Sequence, residues 1–252
     1  MLQIPEYFKI DDIYLYVDEF ISFSKNIPDK SIDVIITDPP YGSTANHWDK
    51  IVPFDMLWEV YNRIIKDNGA IIMFGTGLFA YKLGLSNEKG FKHEIIWYKS
   101  KSGSAFTAKF RPVSMHENIL VFTKSGESPN YYPQLTIGEP YKRVRKENKG
   151  NKPNNHKLGV VSLSETVNDG FRYPHSVQFF QQKWRRQDQL HPTEKPVELM
   201  EWIIKSYSKE GDLVLDSFGG SCPVAKAAYN TNRKCLCVDK EEEYIIKGIS
   251  RF

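Results

Sequence analysis

Seven short apolar or β-branched runs, each of five or six residues, punctuate this chain: IYLYV (13–17), DVIIT (33–37), AIIMFG (70–75), EIIWY (94–98), NILVF (118–122), DLVLDS (212–217) and KCLCVD (234–239). Helical patterns lie between several of them. Residues 54–66 (FDMLWEVYNRIIK) carry apolar side chains at helical spacing and run into Asn68-Gly69, a helix-stop signal. Residues 196–208 (PVELMEWIIKSYS) are amphipathic, with Pro196 near the start and Gly211 after the end. Residues 223–229 follow a glycine pair in the same way. Strands alternating with helices predict an α/β fold, a mostly parallel sheet covered on both faces. Residues 124–190 break the rhythm with Pro129, Pro133, Pro140, Pro153 and Pro174 among scattered aromatics, and they read as an inserted substrate-reading region. The expected division is 1–123, the insertion 124–190, and 191–252 completing the first part. A chain of 252 residues suits one large α/β domain with such an insertion.

The most telling local feature is Asp38-Pro39-Pro40-Tyr41, at the C-terminal end of the run that finishes at Thr37. Ligands of open α/β sheets bind at strand C-terminal ends. A carboxylate, a stiff Pro-Pro backbone and an aromatic face at that place can grip one exocyclic amino group. The lone pair of a base amino nitrogen is conjugated into the ring and is a poor nucleophile. Asp38 can accept one N–H, and the carbonyl of Pro39, held by proline's fixed φ, can accept the other. Together they pull the nitrogen toward tetrahedral geometry. Tyr41 can stack on the base, and Asp38 stabilises the positive charge that grows on nitrogen. A base within a duplex would have to be flipped out to reach such a pocket. The same four residues also suit a plain strand-ending turn.

A second motif, DLVLDSFGGSCPVAKAA, reads strand, Gly-rich turn, helix. Glycines allow close backbone approach, and a helix N-terminus favours an anionic carboxylate. This suits an adenosyl cofactor, with Asp216 taking an ammonium. About twenty residues on, Asp239 ends the next strand, where an acid binds ribose hydroxyls. The turn is not G-x-G-x-x-G, which argues against a phosphate. A bare βαβ unit would read alike.

The net charge of +3 is unevenly spread. Residues 124–190 hold twelve Lys/Arg against six Asp/Glu, and within them 142–157 hold seven basic residues against one acid. The segment 99–111 adds Lys99, Lys101, Lys109 and Arg111 with no acid. Lys142, Arg143, Arg145 and Lys146 head the first group. Such segments are solvated surface or, beside a base-gripping motif, a phosphate-binding footprint that makes DNA the expected partner. No run approaches the roughly 18 residues of a membrane span, and the first residues lack a signal-peptide layout. The chain is therefore expected in the cytoplasm, away from membranes. The three cysteines, Cys222, Cys235 and Cys237, form no C-x-x-C pair, and no metal site is expected.

Taken together these residues resemble the DNA amino-methyltransferases of adenine-N6 or cytosine-N4, and more closely a phage- or prophage-type member. The resemblance runs through TDPPYGSTANHWDK, KSKSGSAFTAKFRP, HENILVF, RYPHSVQFF (172–180), HPTEKPVELMEWIIKSYSKEGDLVLDSF and NTNRKCLCVDKEEEY. Catalytic motif first and cofactor loop last is the order of the circularly permuted β class. The resemblance implies a seven-stranded, Rossmann-like methyltransferase sheet in which IYLYV supplies the strand that follows Asp239, so that the two chain ends meet. It implies S-adenosylmethionine as cofactor. Asp18 should reach its adenine, Thr193 and Lys195 its methionine end, and Phe218, Gly220 and Ser221 should complete its site with Asp216 and Asp239. Thr193 and Lys195 also fit a simple helix entry before Pro196. Residues 124–190 match the target-recognition region. One departure stands out: where the family reads D-P-F-x-G-S-G-T-T, this chain has Ser217 for the proline, Cys222 for the second glycine, and Pro223 and Val224 for the threonines. The implied activity is methylation of a flipped adenine at N6. The alternatives are cytosine-N4, an RNA target, or a silent DNA-binding relative with a degraded cofactor loop. A homodimer and a cognate restriction nuclease are compatible with the resemblance, which specifies neither.

Overall fold

The computed structural model describes residues 7–42, 49, 51–100, 107–124, 126–144, 165–182, 190 and 194–252. The backbone falls into two compact units, one of Met1–Tyr132 with Ser176–Phe252 and one of Pro133–His175.

In the larger unit, β1 (Phe8–Ile10), β2 (Ile13–Val17), α1 (Phe20–Phe23), β3 (Ile32–Thr37), α2 (Phe54–Ile64), β4 (Ile65–Gly75), α3 (Gly77–Ser86), β5 (Phe91–Lys99) and β6 (His116–Phe122) come first. In the smaller unit follow β7 (Thr136–Ile137), β8 (Tyr141–Val144), β9 (Glu165–Asn168) and β10 (Phe171–Arg172). The larger unit then resumes with β11 (Val177–Phe180), α4 (Val197–Tyr207), β12 (Leu213–Asp216), α5 (Pro223–Asn230), β13 (Lys234–Asp239) and α6 (Glu242–Ile249).

One nine-stranded sheet carries the larger unit in the order β1-β2-β13-β12-β3-β4-β6-β5-β11. From β2 to β4 all pairings are parallel. β6 runs antiparallel to both β4 and β5. The seven predicted runs are the seven consecutive strands β2 to β5 of this sheet, in the permuted order that the resemblance implies. IYLYV does lie beside β13, with Cys235 opposite Ile13 and Asp239 opposite Val17. The ends meet there: the rings of Phe8 and Phe252 are 6.2 Å apart. Two short edge strands, β1 and β11, extend the seven.

Alternate residues of each parallel strand feed two cores. Val34, Ile36, Ala70, Ile72 and Val214 pack with Leu199, Ile203, Ala225 and Ile245 of α4, α5 and α6. Ile35, Ile71, Met73 and Leu215 pack with Phe20, Leu57, Tyr61 and Leu83 of α1, α2 and α3. Burial on both faces explains the near-continuous apolar runs of parallel strands.

Two expectations need revising. The helix expected over 54–66 ends at Ile64, and β4 begins at Ile65 rather than Ala70. Asn68-Gly69 does not stop a helix. It forms an irregularity in the ladder, where the register steps from Ile32–Ile65 to Val34–Ala70. A Cβ on Gly69 would lie 2.7 Å from the carbonyl oxygen of Asp33, so close backbone approach is what requires glycine there. Second, Val177–Phe180 lies within 124–190 but pairs in parallel with Ile96–Lys99 of the main sheet. In the smaller unit β8 pairs with β9 and β7 with β10, and Arg172 stacks over Tyr141 at 4.9 Å.

Candidate active site

The C-terminal ends of β3, β12 and β13 open into a cleft of about 800 Å³, within the range of small-molecule sites. Asp38, Pro39, Pro40 and Tyr41 line it from the end of β3. Asp216, Phe218, Gly220 and Ser221 line it from the β12–α5 turn, Asp239 from β13, and Asp18 from the end of β2. The structure thus brings the two predicted motifs onto one cavity.

At the base end, Tyr41 donates its hydroxyl to Asp38 Oδ1 and packs its ring on Phe79, 4.6 Å between centroids. Lys195 Nζ donates to Asp38 Oδ2. The same ammonium lies 3.3 Å from Glu117 Oε2, and Lys99 Nζ donates to Glu117 Oε1 at 3.0 Å. Four charges therefore form one chain, Asp38–Lys195–Glu117–Lys99. Burial raises the Asp38 carboxyl, with Lys195 pulling it down and Glu117 pushing it up. Burial also works against ionised Glu117, but Lys195 and Lys99 outweigh it and hold its pKa below the usual value. For Lys195, burial opposes the charge, yet Asp38 and Glu117 keep the ammonium firmly protonated.

Two expected site residues have internal partners. Lys195, expected at the methionine end of the cofactor, lines the cleft, and its ammonium pairs with Asp38 and Glu117. Lys99 was expected on a phosphate, yet it is tied to Glu117 and its side chain is only 13% exposed. Glu117 itself was not singled out as a site residue. Its signal was an acid at the start of an apolar strand: β6 runs against β4, so its first residues lie at the ligand-bearing edge.

The cofactor end is built differently. Asp216 Oδ1 accepts from Thr37 Oγ1 at 3.1 Å and from the backbone N–H of Phe218 at 3.2 Å. Burial pushes its pKa up to about 7. Asp239 accepts from the N–H of Gly220 at 2.7 Å and from that of Glu241 at 2.8 Å, and burial raises it too. Among the described residues no cation forms an ion pair with either. A buried and a half-buried carboxylate without ion-pair partners call for a ligand that supplies a positive charge and hydroxyl donors. Asp18 accepts from the N–H of Glu19 at 2.7 Å, while its own N–H donates to the carbonyl of Asp239 at 3.0 Å, which joins β2 to the cofactor edge. Ser217, where the family has proline, hydrogen-bonds Tyr61 OH at 2.6 Å and Thr37 at 3.1 Å.

Cys222 has φ 57°, the left-handed conformation that favours glycine. Its side chain is fully buried, away from the cleft lining, and a Cβ on Gly248 of α6 would lie 2.6 Å from its sulfur. Pro223 then opens α5 at a position where a missing N–H costs nothing. Arg251 ties this turn down, donating to Ser221 Oγ at 3.0 Å and pairing with Glu194 at 3.1 Å.

Of the expected DNA contacts, Lys109 and Arg111 are exposed around Phe110, itself 89% exposed, on a turn closed by N–H donation from Phe110 and Arg111 to the carbonyl of Thr107. Lys142 and Arg143 are exposed on β8 of the smaller unit. Lys101, Arg145, Lys146 and Thr193 lie outside the described residues.

The model of the N6/N4 DNA methylase family matches residues 32–248. The chain belongs to that family. It is 31% identical over 250 residues to the Type II methyltransferase M.HpaI of Haemophilus parainfluenzae, covering 93% of this chain and 72% of the relative. It is 28% identical over 243 residues to the DNA adenine methyltransferase YhdJ of Escherichia coli (strain K12), covering 90% and 78%. Among solved structures, the PvuII DNA methyltransferase (cytosine-N4-specific) superposes with a TM-score of 0.74 at 16% identity, over 100% of this chain and 90% of that one. The M1.HpyAVI–SAM complex superposes with a TM-score of 0.64 at 23% identity, over 95% and 98%. Membership places the chain among the S-adenosylmethionine-dependent DNA amino-methyltransferases. Among the described residues no helix is long and apolar enough to cross a membrane.

Proposed function

We propose that this methyltransferase modifies adenine at N6, in a specific sequence, after the base is flipped out of duplex DNA. The observation that carries the reading is the single cleft lined by both Asp38-Pro39-Pro40-Tyr41 and the Asp216–Ser221 turn. S-adenosylmethionine supplies a methyl group on a positively charged sulfur. The two carboxylates, which form no ion pair among the described residues, fit its charge and hydroxyls: Asp216 receives the ammonium, Asp239 the ribose, with Asp18 toward the adenine and Phe218 alongside. Asp38 accepts a hydrogen bond from the target amino group and stabilises the charge that develops there. As the N–C bond forms, the methyl–sulfur bond breaks with its electron pair left on sulfur, and the nitrogen gives up a proton through Asp38 to solvent. Tyr41, backed by Phe79, presents an aromatic face to the base. Lys109, Phe110, Arg111, Lys142 and Arg143 contact DNA, the cations on phosphates and the aromatic ring on a base.

Adenine is supported by the DPPY form of the motif and by the relation to a protein named a DNA adenine methyltransferase. Cytosine-N4 is the second reading, because the pocket would serve either exocyclic amine and the cytosine-N4-specific PvuII enzyme shares the fold. The silent reading loses support, since Cys222 is buried and is not among the residues that line the cleft. A phage or prophage type, cytoplasmic location, a homodimer and a cognate nuclease belong to the proposal from the sequence alone. Modified-base sequencing of DNA from cells expressing the chain tests it. N6-methyladenine in one sequence context is expected; N4-methylcytosine would move the assignment to the second reading.

A further inference from the structure

We propose that Glu117 is a positioning residue that takes the Lys195 ammonium from Asp38 when the target amino group arrives. The inference deepens the methyltransferase reading and rests on it.

Both Asp38 oxygens are occupied, Oδ1 by Tyr41 and Oδ2 by Lys195. A substrate amine therefore meets a carboxylate that already has a donor on each oxygen, one of them a full positive charge. A lysine ammonium on that carboxylate also opposes the positive charge that must grow on the amine. The neighbouring carboxylate is in the opposite state. Glu117 Oε1 is held by Lys99, but Oε2 is shut off from solvent and accepts no hydrogen bond. It lies 3.3 Å from Lys195 Nζ, a long ion-pair contact. Closing that gap to the length of a charge-assisted hydrogen bond, about 2.8 Å, satisfies Glu117 and frees Asp38 Oδ2. The Phe74 ring, 5.2 Å from the ammonium, flanks the cation. Lys99 keeps Glu117 ionised and ready to receive it.

The groups facing Asp38 are Tyr41 on its own segment, Glu117 on β6 and Lys195 before α4, with Asp216 on β12 feeling its charge. Lys195 lowers the Asp38 pKa and Glu117 raises it. If ionised Asp38 sets the acid limb of kcat, Lys195→Met moves that limb to higher pH and Glu117→Gln moves it to lower pH.

The test is kcat against pH for wild type, Glu117→Gln, Lys195→Met and the double variant, on a duplex carrying the sequence found methylated in cells. Glu117→Gln removes the receiving charge at nearly constant shape, so Lys195 stays on Asp38. Expected is a kcat loss of about a hundredfold, the size of one misplaced electrostatic group, with little change in KM for DNA. The double variant, having lost the blocking cation as well, should turn over faster than Glu117→Gln. A static structural tie predicts the reverse: the second deletion would only add damage. Unchanged kcat in Glu117→Gln, or a double variant no faster than it, overturns the inference while leaving the methyltransferase reading standing. A wild type that methylates no DNA removes that reading and this inference with it. Should the variants not fold, the wild-type structure with S-adenosylhomocysteine and target duplex decides: Lys195 hydrogen-bonded to Glu117 supports the transfer, and Lys195 still on Asp38 contradicts it.

Discussion

The two ends of the cleft treat a carboxylate in opposite ways. At the base end Asp38 has an internal cation, Lys195, itself shared with Glu117. At the cofactor end Asp216 and Asp239 rest on hydroxyl and backbone N–H donors, and no cation pairs with them among the described residues. Sequence distance does not explain this, since Lys195 and Asp38 are 157 positions apart. What differs is what each end awaits. A positively charged cofactor can complete Asp216 directly, so an internal lysine there would compete with it. A neutral amine gains charge only during reaction, so Asp38 can be kept ionised by a lysine beforehand, provided the lysine can move. Burying an unpaired carboxylate destabilises the fold, and the cofactor end bears that cost for the sake of its ligand.

The largest effect expected is at Asp38. Asp38→Ala should lower methyl transfer by a hundredfold or more, with S-adenosylmethionine affinity nearly unchanged in calorimetric titration. Parallel loss of affinity would break the separation of the two ends.

Asp216→Asn should do the converse, weakening the cofactor by roughly ten- to hundredfold, the worth of about 2 kcal/mol in one charge-assisted contact. A pH signature accompanies it. With a pKa near 7 in the free protein, Asp216 is about half protonated at neutral pH. A bound ammonium favours the ionised form, so binding should tighten as pH rises through 7 and should release about half a proton there. Calorimetry in buffers of different ionisation enthalpy reads that number. For the free protein the sign is opposite. A raised carboxyl pKa means that the folded state holds its proton more tightly than the unfolded one. This contribution to stability is therefore full below about pH 4 and is lost as pH climbs to about 7.

Much of this was legible in the sequence, for physical reasons. A parallel strand buried on both faces must be apolar nearly throughout, so each of the seven runs announced itself. Both motifs sit at strand C-terminal ends, where local pattern and ligand position coincide. The charged chain was not legible, because it joins Asp38, Lys99, Glu117 and Lys195 from separate elements and no periodicity marks such a meeting. Lys99 looked like a phosphate contact because its neighbours are basic; only the pairing of β5 with β6 sets it beside Glu117. The edge strands β1 and β11 escaped because three or four half-exposed residues carry little pattern. Asn68-Gly69 misled because a bulge and a helix stop use the same residues.

The exposed cations offer a smaller contrast with the buried ones. Replacing Lys142, Arg143, Arg145 and Lys146 with Ala should weaken DNA binding across sequences and flatten the salt dependence by about 0.9 in log–log slope per lost phosphate contact. An unchanged slope in a fluorescence-anisotropy salt series would return this segment to solvated surface. Lys99→Ala should leave the slope alone, since its charge is spent on Glu117.

The smallest effect is expected at Cys222. Cys222→Gly relieves a left-handed non-glycine residue, worth about 1 kcal/mol, and removes a buried sulfur, which costs a similar amount. Thermal unfolding should therefore shift little. Because the side chain faces Gly248 and not the cleft, S-adenosylmethionine affinity should change by less than about threefold, under 1 kcal/mol. A large tightening, in this variant or in Cys222→Gly/Pro223→Thr, would show that the altered turn detunes the cofactor site.

The most direct test of the whole account is transfer of an isotope-labelled methyl group from S-adenosylmethionine to DNA by the purified protein, followed by nucleoside mass spectrometry, with Asp38→Ala run alongside. The account predicts label in N6-methyladenine with the wild type and background with the variant. Label on a ring carbon, or equal labelling by the two proteins, would contradict it.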